Sequence, residues 1–468
     1  MNTLANTLLK AAGGFALAVM LMAAPAFAET FTLEQAVARA LDQSEEVRLT
    51  QAQLLDAQGQ VRSAMSAAMP QINGSVTYRH QIDSIFEPFA ADTTLGRAFA
   101  NSSFGAIRDW TVAIEASQLL FDGGKWNAAL KGSKFYMSAA TEQNREAIAD
   151  LVYQVKSTYY QAVAAKRLEE IAQASLKQAR EHEAQVALFH DQGTRAEFDL
   201  LRAQVDAANQ EPALVAAHTA ADLATFRLRE LINLPAKESL ELATPLEAAD
   251  GTIPVLATAS LAASSRGAVA ASEANVSLQE QGVRAAKAAR WPSIVASTSL
   301  QQQAFPDQGE WPVPHDFVRN WDAQIRLSVP LFNGFRTEAE IQKAQAALQQ
   351  AKAQRDQSKQ RVAVEVADAK ALLEQAGSQL AARRQTVRQA SRAYDLSEVR
   401  YTNGISTQLE VSDARLGLLT AQVRQVEGSR DYLVALAGLE RAIGHPLPIE
   451  RKPLESLTFS MNAEAKSR

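Results

Sequence analysis

The chain has 468 residues, with 47 Lys and Arg against 52 Asp and Glu, a formal net charge of −5, and no cysteine. This acidic balance argues against a nucleic-acid-binding protein, which needs a basic surface. The absence of cysteine excludes disulfides, thiol chemistry, Cys-ligated zinc and a lipid-modified N-terminal cysteine. Aromatic residues make up only 6% of a chain rich in alanine, which favours thin packing between elongated elements over a globular core.

The first 28 residues have the pattern of a secretory signal peptide. Lys10 supplies a positive start, residues 11–22 form a short apolar run, and Ala26-Phe27-Ala28 has the small-x-small pattern of a cleavage site. An uncleaved membrane anchor is the alternative, although the apolar run is short for one. We therefore predict a signal peptide over 1–28, cleavage before Glu29 and export from the cytoplasm. No run of 18 apolar residues follows, so the sequence predicts no further transmembrane helix.

The exported part opens with a predicted helical stretch and a pair of strands. Thr32-Leu33-Glu34-Gln35 matches a capping box at a helix start, and Pro70 cannot continue the helix that runs to the residue before it. Alternation of apolar and polar residues then predicts strands over 71–82 and 110–119. The intervening loop, 83–108, is expected to face the outside of the cell.

A very long helical hairpin is predicted next. Residues 124–189 contain no proline and keep a helical pattern well beyond the length of about 25 residues that indicates a coiled coil. At 1.5 Å per residue, this helix would span about 99 Å. The tip is predicted at 190–197, where Gly193 suits a left-handed turn, and the return helix at 198–232.

The second half of the chain repeats this order. Leu120-Phe121-Asp122-Gly123 recurs as Leu331-Phe332-Asn333-Gly334, and Gly193 recurs as Gly404, each 211 residues later. A constant offset means that neither copy has gained or lost residues, as expected for long packed helices. We therefore predict a first repeat over 29–250 and a second over 251–456. The second repeat contains a helix, strands at 293–302 and 321–330 around a loop at 303–320, a helix at 334–401, a tip at 402–408 and a return helix at 409–443. A disordered tail is predicted at 457–468.

Each predicted strand has one polar and one apolar face. Outer-membrane barrel strands show this pattern, and half-buried strands of a soluble sheet show it as well. The candidate lumen-facing residues are Arg79, Glu115, Asp322 and Arg326, and the candidate lipid-facing residues are Trp110, Ile114, Trp321 and Ile325. Four strands cannot close a barrel in lipid without unpaired backbone groups, and bacterial single-chain barrels have at least eight. If the strands lie in a membrane, several chains must share one water-filled barrel, which the helices would extend into a duct.

The two hairpin tips resemble those of the TolC-type outer-membrane efflux family. The first reads His190-Asp191-Gln192-Gly193 followed by Phe198-Asp199-Leu200-Leu201-Arg202-Ala203, and the second reads Tyr401-Thr402-Asn403-Gly404 followed by Glu410-Val411-Ser412-Asp413-Ala414. The resemblance covers essentially the whole exported chain. It implies an α+β membrane protein in which a homotrimer shares a 12-stranded β-barrel, four strands per chain, continuous with a long α-helical coiled-coil barrel.

The resemblance also implies a function and its partners. The expected protein is an outer-membrane exit duct of a tripartite export system, including type I secretion, with its helical part in the periplasm. It would carry small molecules or secreted protein from an inner-membrane transporter, and a periplasmic adaptor would dock at the tips around Gly193 and Gly404. A periplasmic coiled-coil scaffold or adaptor without a pore is the alternative, but it would not account for the alternating strands.

Enzymatic activity is not expected. The six histidines show no metal-ligand spacing, and the sequence contains no nucleophile motif. We therefore predict no catalytic residue, no metal, no cofactor and no nucleic-acid partner.

The resemblance places a periplasmic gate at the tips. Glu410 and Asp413 match the acidic positions that form the narrowest ring of the family's tunnel, and a carboxylate ring would attract cations. Glu410 also completes a capping box, Thr407-Gln408-Leu409-Glu410, which needs no gate. The alternative for Asp413 is a solvated helix face.

Closure of the gate should involve contacts between hairpins. Tyr401 and Asp199 match positions that the family uses for this purpose. The basic residue that often follows the second-tip glycine is replaced by Ser406, whereas Arg195 occupies the equivalent place in the first tip. Arg195 is expected to reach Asp413 or Asp199 from the other hairpin, or else to be solvated at its helix start.

Overall fold

The computed structural model describes residues 29–82, 106, 108–235, 240–246, 266–306 and 311–444. The predicted signal peptide, most of the loop 83–108 and the tail 457–468 lie outside these residues. Within the described ranges, none of the helices combines the length and the hydropathy that a membrane span requires.

The two repeats share an order of helix, strand pair and long helical hairpin. In chain order the elements are β1 (Glu29–Phe31), α1 (Leu33–Gln43), α2 (Glu45–Ser66), β2 (Gln71–His80), β3 (Arg108–Phe121), α3 (Lys125–Asp191), α4 (Glu197–Leu231), β4 (Leu240–Leu242), α5 (Gly267–Ala288), β5 (Ser293–Ala304), β6 (Val318–Ser328), α6 (Arg336–Thr402) and α7 (Gln408–Ile443).

The opening helical stretch is divided in two, which the sequence analysis did not predict. Thr32 and Gln35 form the expected capping box at the start of α1: the Thr32 hydroxyl accepts from the Gln35 N–H, and the Gln35 side chain accepts from the Thr32 N–H. The helix ends at Ser44, which has extended backbone angles. Glu45 and Glu46 then begin α2, where serine before the first turn and carboxylates within it both favour a new helix start.

The long hairpins have nearly identical lengths in the two repeats. The outgoing helices α3 and α6 each have 67 residues, and the return helices α4 and α7 have 35 and 36. Gly193 and Gly404 end the outgoing helices with φ of 72° and 73°. At each tip the glycine N–H donates to the carbonyl three residues back and the next N–H to the carbonyl five residues back. These are Schellman motifs, whose left-handed position favours glycine.

The strands form one antiparallel sheet in the order β2-β3-β5-β6. β3 extends two residues beyond its predicted range at each end, β2 ends two residues early, and β6 begins three residues and ends two residues earlier than predicted. The four strands run side by side over nearly their whole length. β2 and β6 are the edges of this sheet.

The chain contains two compact units, and each draws on both repeats. One consists of the described parts of Met1–Ser44, Leu151–Ile253 and Leu373–Ala437, and includes both hairpin tips. The other consists of the described parts of Glu45–Asp150, Pro254–Leu372 and Gly438–Arg468, and includes the four-stranded sheet. The repeat is therefore a unit of sequence and not a separately packed body.

Each unit has its own packing centre. In the tip-containing unit, the fully buried Tyr159 donates its hydroxyl hydrogen to the Phe31 carbonyl at 2.8 Å and accepts from the Thr244 N–H at 3.1 Å. Tyr159 thereby holds the ends of β1 and β4, which pair in parallel. In the sheet-containing unit, the side chain of Arg266 is only 3% exposed and joins several helices through ion pairs.

Candidate functional site

The sheet aligns the polar faces of all four strands on one side. Arg79, Glu115, Asp322 and Arg326, the candidate lumen residues, all lie on this side. Glu115 and Asp322 flank Ser299 in directly opposed positions. A one-residue shift in any pairing would have moved a strand's polar residues to the other side.

Asp109 belongs to the same polar face, and the sequence analysis missed it. It is paired with Arg79 in the register of β2 and β3, and the two side chains form an ion pair in which Asp109 is largely buried. The predicted strand began one residue later, at Trp110. An acidic residue next to that tryptophan, two positions from Thr111 on the same face, is the signal that could have extended it.

The opposite side of the sheet is apolar and exposed. It carries the candidate lipid-facing residues Trp110, Ile114, Trp321 and Ile325, of which Trp321 and Ile325 are 72% and 74% exposed. Ile114, Leu300 and Trp321 form one row across three strands. A water-soluble sheet would bury such a face, so this surface needs a covering that the chain itself does not provide within the described residues.

Aromatic rings cluster at one end of the apolar side. The Trp110 ring lies between Tyr78 and Trp311, with centroid distances of 4.8 and 5.6 Å. Trp311 lies in the predicted loop 303–320 and was not singled out from the sequence. Girdles of aromatic residues at the membrane–water boundary are a feature of outer-membrane barrels.

The tips form a second candidate region, in the other compact unit. Tyr401, at the end of α6, is almost fully buried, and the Arg195 guanidinium lies 4.5 Å from the centre of its ring. Arg195 also donates to the Tyr401 carbonyl at 3.5 Å. Burial and the Asp199 charge raise the pKa of Tyr401, against the opposing effect of Arg195. The tyrosine therefore stays neutral, and the cation rests on its ring.

Within one chain Arg195 contacts Tyr401, and the expected pairing of Arg195 with Asp413 or Asp199 across hairpins stays a prediction. Among the described residues, no ion pair joins Arg195 to Asp413 or Asp199, because its guanidinium is used by Tyr401. The sequence pattern showed only that a cation was present in the first tip. It could not show that an aromatic ring would receive it.

A contact between the return helices was also missed by the sequence analysis. Asp206 on α4 accepts from the Ser412 hydroxyl at 2.8 Å and pairs with Arg415 on α7 at 3.3 Å. The Arg415 side chain is only 10% exposed. Both ionic partners lie a similar distance along the return helices from their tip glycines, and this is the signal that could have paired them.

The two candidate gate carboxylates have different surroundings. The Glu410 N–H donates to the Thr407 hydroxyl at 3.4 Å, and the Glu410 carboxylate accepts from the Ser406 hydroxyl at 2.5 Å. Glu410 is thus engaged near the start of its own helix, but only one half of the expected capping box is present, because its carboxylate bonds to Ser406 and not to the Thr407 N–H. Asp413 is exposed and lines an open groove of about 710 Å³ together with Arg383 and Arg424.

Comparison with known proteins adds a family and a fold. The family model described as outer membrane efflux protein matches residues 36–234 and again residues 258–445. The pyoverdine export outer membrane protein OpmQ of Pseudomonas aeruginosa is 24% identical over 430 residues, covering 90% of this chain and 87% of that protein. The outer membrane efflux protein BepC of Brucella suis is 26% identical over 340 residues, covering 71% and 72%.

Solved structures share the architecture. The CmeC outer membrane channel of Campylobacter jejuni superposes with a TM-score of 0.74 at 16% identity, covering 88% of this chain and 85% of that chain. The open state of the MtrE outer membrane channel of Neisseria gonorrhoeae gives 0.72 at 20% identity, covering 88% and 89%. These similarities show a common fold, and the double match of the family model confirms the internal duplication.

Proposed function

The chain belongs to the outer membrane efflux protein family, and on that premise we propose that three copies assemble into one export duct. The chain has the TolC-like fold of bacterial outer membrane channels and is not an enzyme. In the proposed assembly each copy contributes four strands to a 12-stranded barrel. Its hairpins would together form the helical wall of a tunnel in the periplasm.

One observation carries this proposal: an amphipathic sheet with two open edges. β2 pairs only with β3, and β6 only with β5, among the residues that the structure describes. Unpaired edge groups are costly in lipid, so the edges need partners of matching polarity. Because β2 and β6 run in opposite directions, the β6 of one copy can pair with the β2 of the next in the antiparallel manner used throughout this sheet.

The two faces assign the inside and the outside of such a barrel. The side with Trp321 and Ile325 would face lipid, and the side with Glu115 and Asp322 would line a wet lumen, as in porin-type barrels. The 67-residue helices α3 and α6 are each about 100 Å long at 1.5 Å per residue. That length suits a tunnel wall that extends far into the periplasm.

The proposed partners and cargo are inferred from the role of an exit duct, and not from a binding site on the chain. We place a periplasmic adaptor at the tips around Gly193 and Gly404, and an inner-membrane transporter behind it. The relatives are named for pyoverdine export and for solvent and toluene efflux, among other roles. Small molecules are therefore the favoured cargo class, with secreted protein as the other, and the transporter would make the selection.

Cysteine cross-linking tests the shared barrel directly, since the chain has no native cysteine. Thr77→Cys on β2 is combined in turn with Asn320→Cys, Asp322→Cys or Gln324→Cys on β6. For the combination that matches the intersubunit register, oxidation in outer membranes should give covalent dimers and trimers on non-reducing gels. Reduction should return all of them to the monomer.

The control is a pair that lies within one chain. Thr77 is directly opposite Thr111 in the β2–β3 register, so Thr77→Cys with Thr111→Cys should oxidise and remain monomeric. If this pair oxidises while every β2–β6 combination stays monomeric, the shared barrel is wrong.

Asp413 is proposed as the carboxylate that gives the closed end its cation preference. Asp413→Ala should lower the permeability ratio of K⁺ to Cl⁻ by about twofold or more, because three carboxylates would leave a narrow ring. The ratio is measured from reversal potentials across planar bilayers. Glu170→Ala, which removes the same charge from an exposed position on α3, should leave the ratio unchanged. Equal ratios for wild type and Asp413→Ala would remove Asp413 from the gate.

A further inference from the structure

His182 lies on α3 where the first hairpin meets Tyr401 of the second. Its ring centre is 5.6 Å from that of Tyr401, and the two planes are inclined by 54°. Its Nε2 atom is shielded from solvent and has no hydrogen-bond partner among the described residues, and the same is true of the Tyr401 hydroxyl. A neutral imidazole tolerates this contact, whereas an imidazolium would bring a second N–H and a full charge into it.

The charged groups around His182 come from three other segments. Arg415 faces it from α7, Asp206 from α4 and Glu398 from α6. On the far side of the contact, Arg195 and Asp199 act on Tyr401. His182 is therefore placed among two carboxylates and one guanidinium, and it contacts a tyrosine that already carries a second guanidinium on its ring.

The nearby carboxylates already have partners. Asp206 is held by Ser412 and Arg415, and Glu398 accepts from the Tyr394 hydroxyl at 2.6 Å. Asp206 already shares its charge with Arg415, and among the described residues neither carboxylate forms a hydrogen bond with the His182 ring. Burial, and then the Arg415 charge, accordingly lower the pKa of His182, while Glu398 and Asp206 act in the opposite direction.

We propose that His182 is an acid-sensitive positioning residue for the tips, a role that rests on the proposed function of the tips as the periplasmic gate. When neutral, His182 packs against Tyr401 and the two hairpins of one chain stay together. When protonated, it places a charge next to Arg415 and against Tyr401, and the hairpins separate at this contact.

The direction of the pH effect follows from linkage. The pKa of such a base is lower in the packed tip than in water. The packing therefore has its full stability above the ordinary pKa of the base, and it loses stability as the pH falls below that ordinary value. The ordinary value is about 6.5 for histidine and about 4 for carboxyl groups. Acid opening that begins between about pH 6.5 and pH 5 is therefore the behaviour expected of a histidine.

Distance measurements between the tips test this inference. Nitroxide labels are attached to Gln192→Cys and Asn403→Cys, which lie beside the two tip glycines, and labelled chains are diluted with unlabelled ones. Double electron–electron resonance should show a longer and broader distance distribution at about pH 5 than at about pH 7.5. His182→Gln, which keeps a polar side chain that cannot be protonated in this range, should abolish the change.

His218 supplies the matched control. It lies on α4 in the same compact unit, is exposed and is bonded to Glu169 at 2.7 Å. His218→Gln should keep the full acid response. An acid response that survives in His182→Gln, or one that His218→Gln removes, would overturn the inference. If His182→Gln does not fold, the wild-type titration decides, because a midpoint near the carboxyl value contradicts a histidine.

Conductance separates this inference from the proposed function. The distance change does not require a pore. An acid response without any single-channel current would therefore retain the role of His182 at the tips and overturn the proposed duct function. A pore whose tip distances are the same at both pH values would retain the duct and overturn the role of His182.

Discussion

Replacement of Arg266 by alanine is expected to lower the free energy of unfolding by about 3 kcal/mol, the lower end of the range for a broken buried ion pair, because it leaves two partly exposed carboxylates without their cation. Arg266 precedes α5 and is almost fully buried. Its guanidinium pairs with Glu146 on α3 and with Glu365 on α6, the latter at 3.3 Å. It also donates to the Arg441 and Ala442 carbonyls near the end of α7, each at 3.0 Å.

These contacts give Arg266 several structural roles at once. The carbonyls at a helix end lack intrahelical partners, and a cation there is favoured by the helix dipole as well. Arg441 extends the network by pairing with Asp150, which raises the pKa of its guanidinium. One side chain thus fixes α3, α6 and α7 relative to the start of α5, within the unit that holds the sheet.

The change in the free energy of unfolding is measured by urea unfolding of the purified protein in detergent, monitored through the circular dichroism signal of the helices. Arg145→Ala is the matched control, because Arg145 lies one residue from Glu146 but makes an exposed pair with Glu142 that is worth about 0–1 kcal/mol. The loss of unfolding free energy for Arg266→Lys should lie between those of the two alanine variants. Lysine keeps the charge but cannot bind carboxylates and carbonyls at the same time as the guanidinium does. If Arg266→Ala and Arg145→Ala unfold at the same urea concentration, the Arg266 network does not stabilise the packing of these helices.

The regular elements could be predicted from sequence because each depends on local patterns. The alternation around Trp110 and Trp321, the absence of proline over 124–189 and the left-handed glycines Gly193 and Gly404 act within a few residues. Their recurrence 211 residues later strengthened each prediction. The register that unites the four polar faces follows from the same alternation, since any odd slip would mix polar and apolar residues on one side.

The contacts of individual ionic residues could not be predicted in this way. Arg195 and Arg266 are both arginines next to a helix start, yet one lies on a tyrosine ring and the other is buried in an ion network. Their partners are distant in sequence and depend on which helices pack together. The tip residues show the same limit. The Glu410 carboxylate binds the neighbouring Ser406 and not the Thr407 N–H of the predicted capping box, and the one signal for pairing Asp206 with Arg415 was their similar distance from the two tip glycines.

Replacement of Ile325 by arginine is expected to prevent stable insertion into the outer membrane. Ile325 is 74% exposed on the apolar side of β6, opposite Ala296 of β5. A basic residue on the lipid face of a barrel costs about 2–4 kcal/mol at the middle of the bilayer and less near its boundaries. In the proposed trimer the substitution is present three times, so the cost to the assembly is about threefold larger.

The neighbouring residue distinguishes a lipid face from an ordinary surface. Gln324→Arg adds the same side chain one position away, on the polar side opposite Ser297. In a barrel this arginine would point into the wet lumen, and the variant should insert and assemble as the wild type does. On a sheet surrounded by water, both substitutions would be tolerated, because either arginine would be solvated.

The measurement is the amount of heat-resistant oligomer extracted by detergent from outer membranes. A large loss for Ile325→Arg with little loss for Gln324→Arg is expected, and equal yields would show that the apolar side does not face lipid.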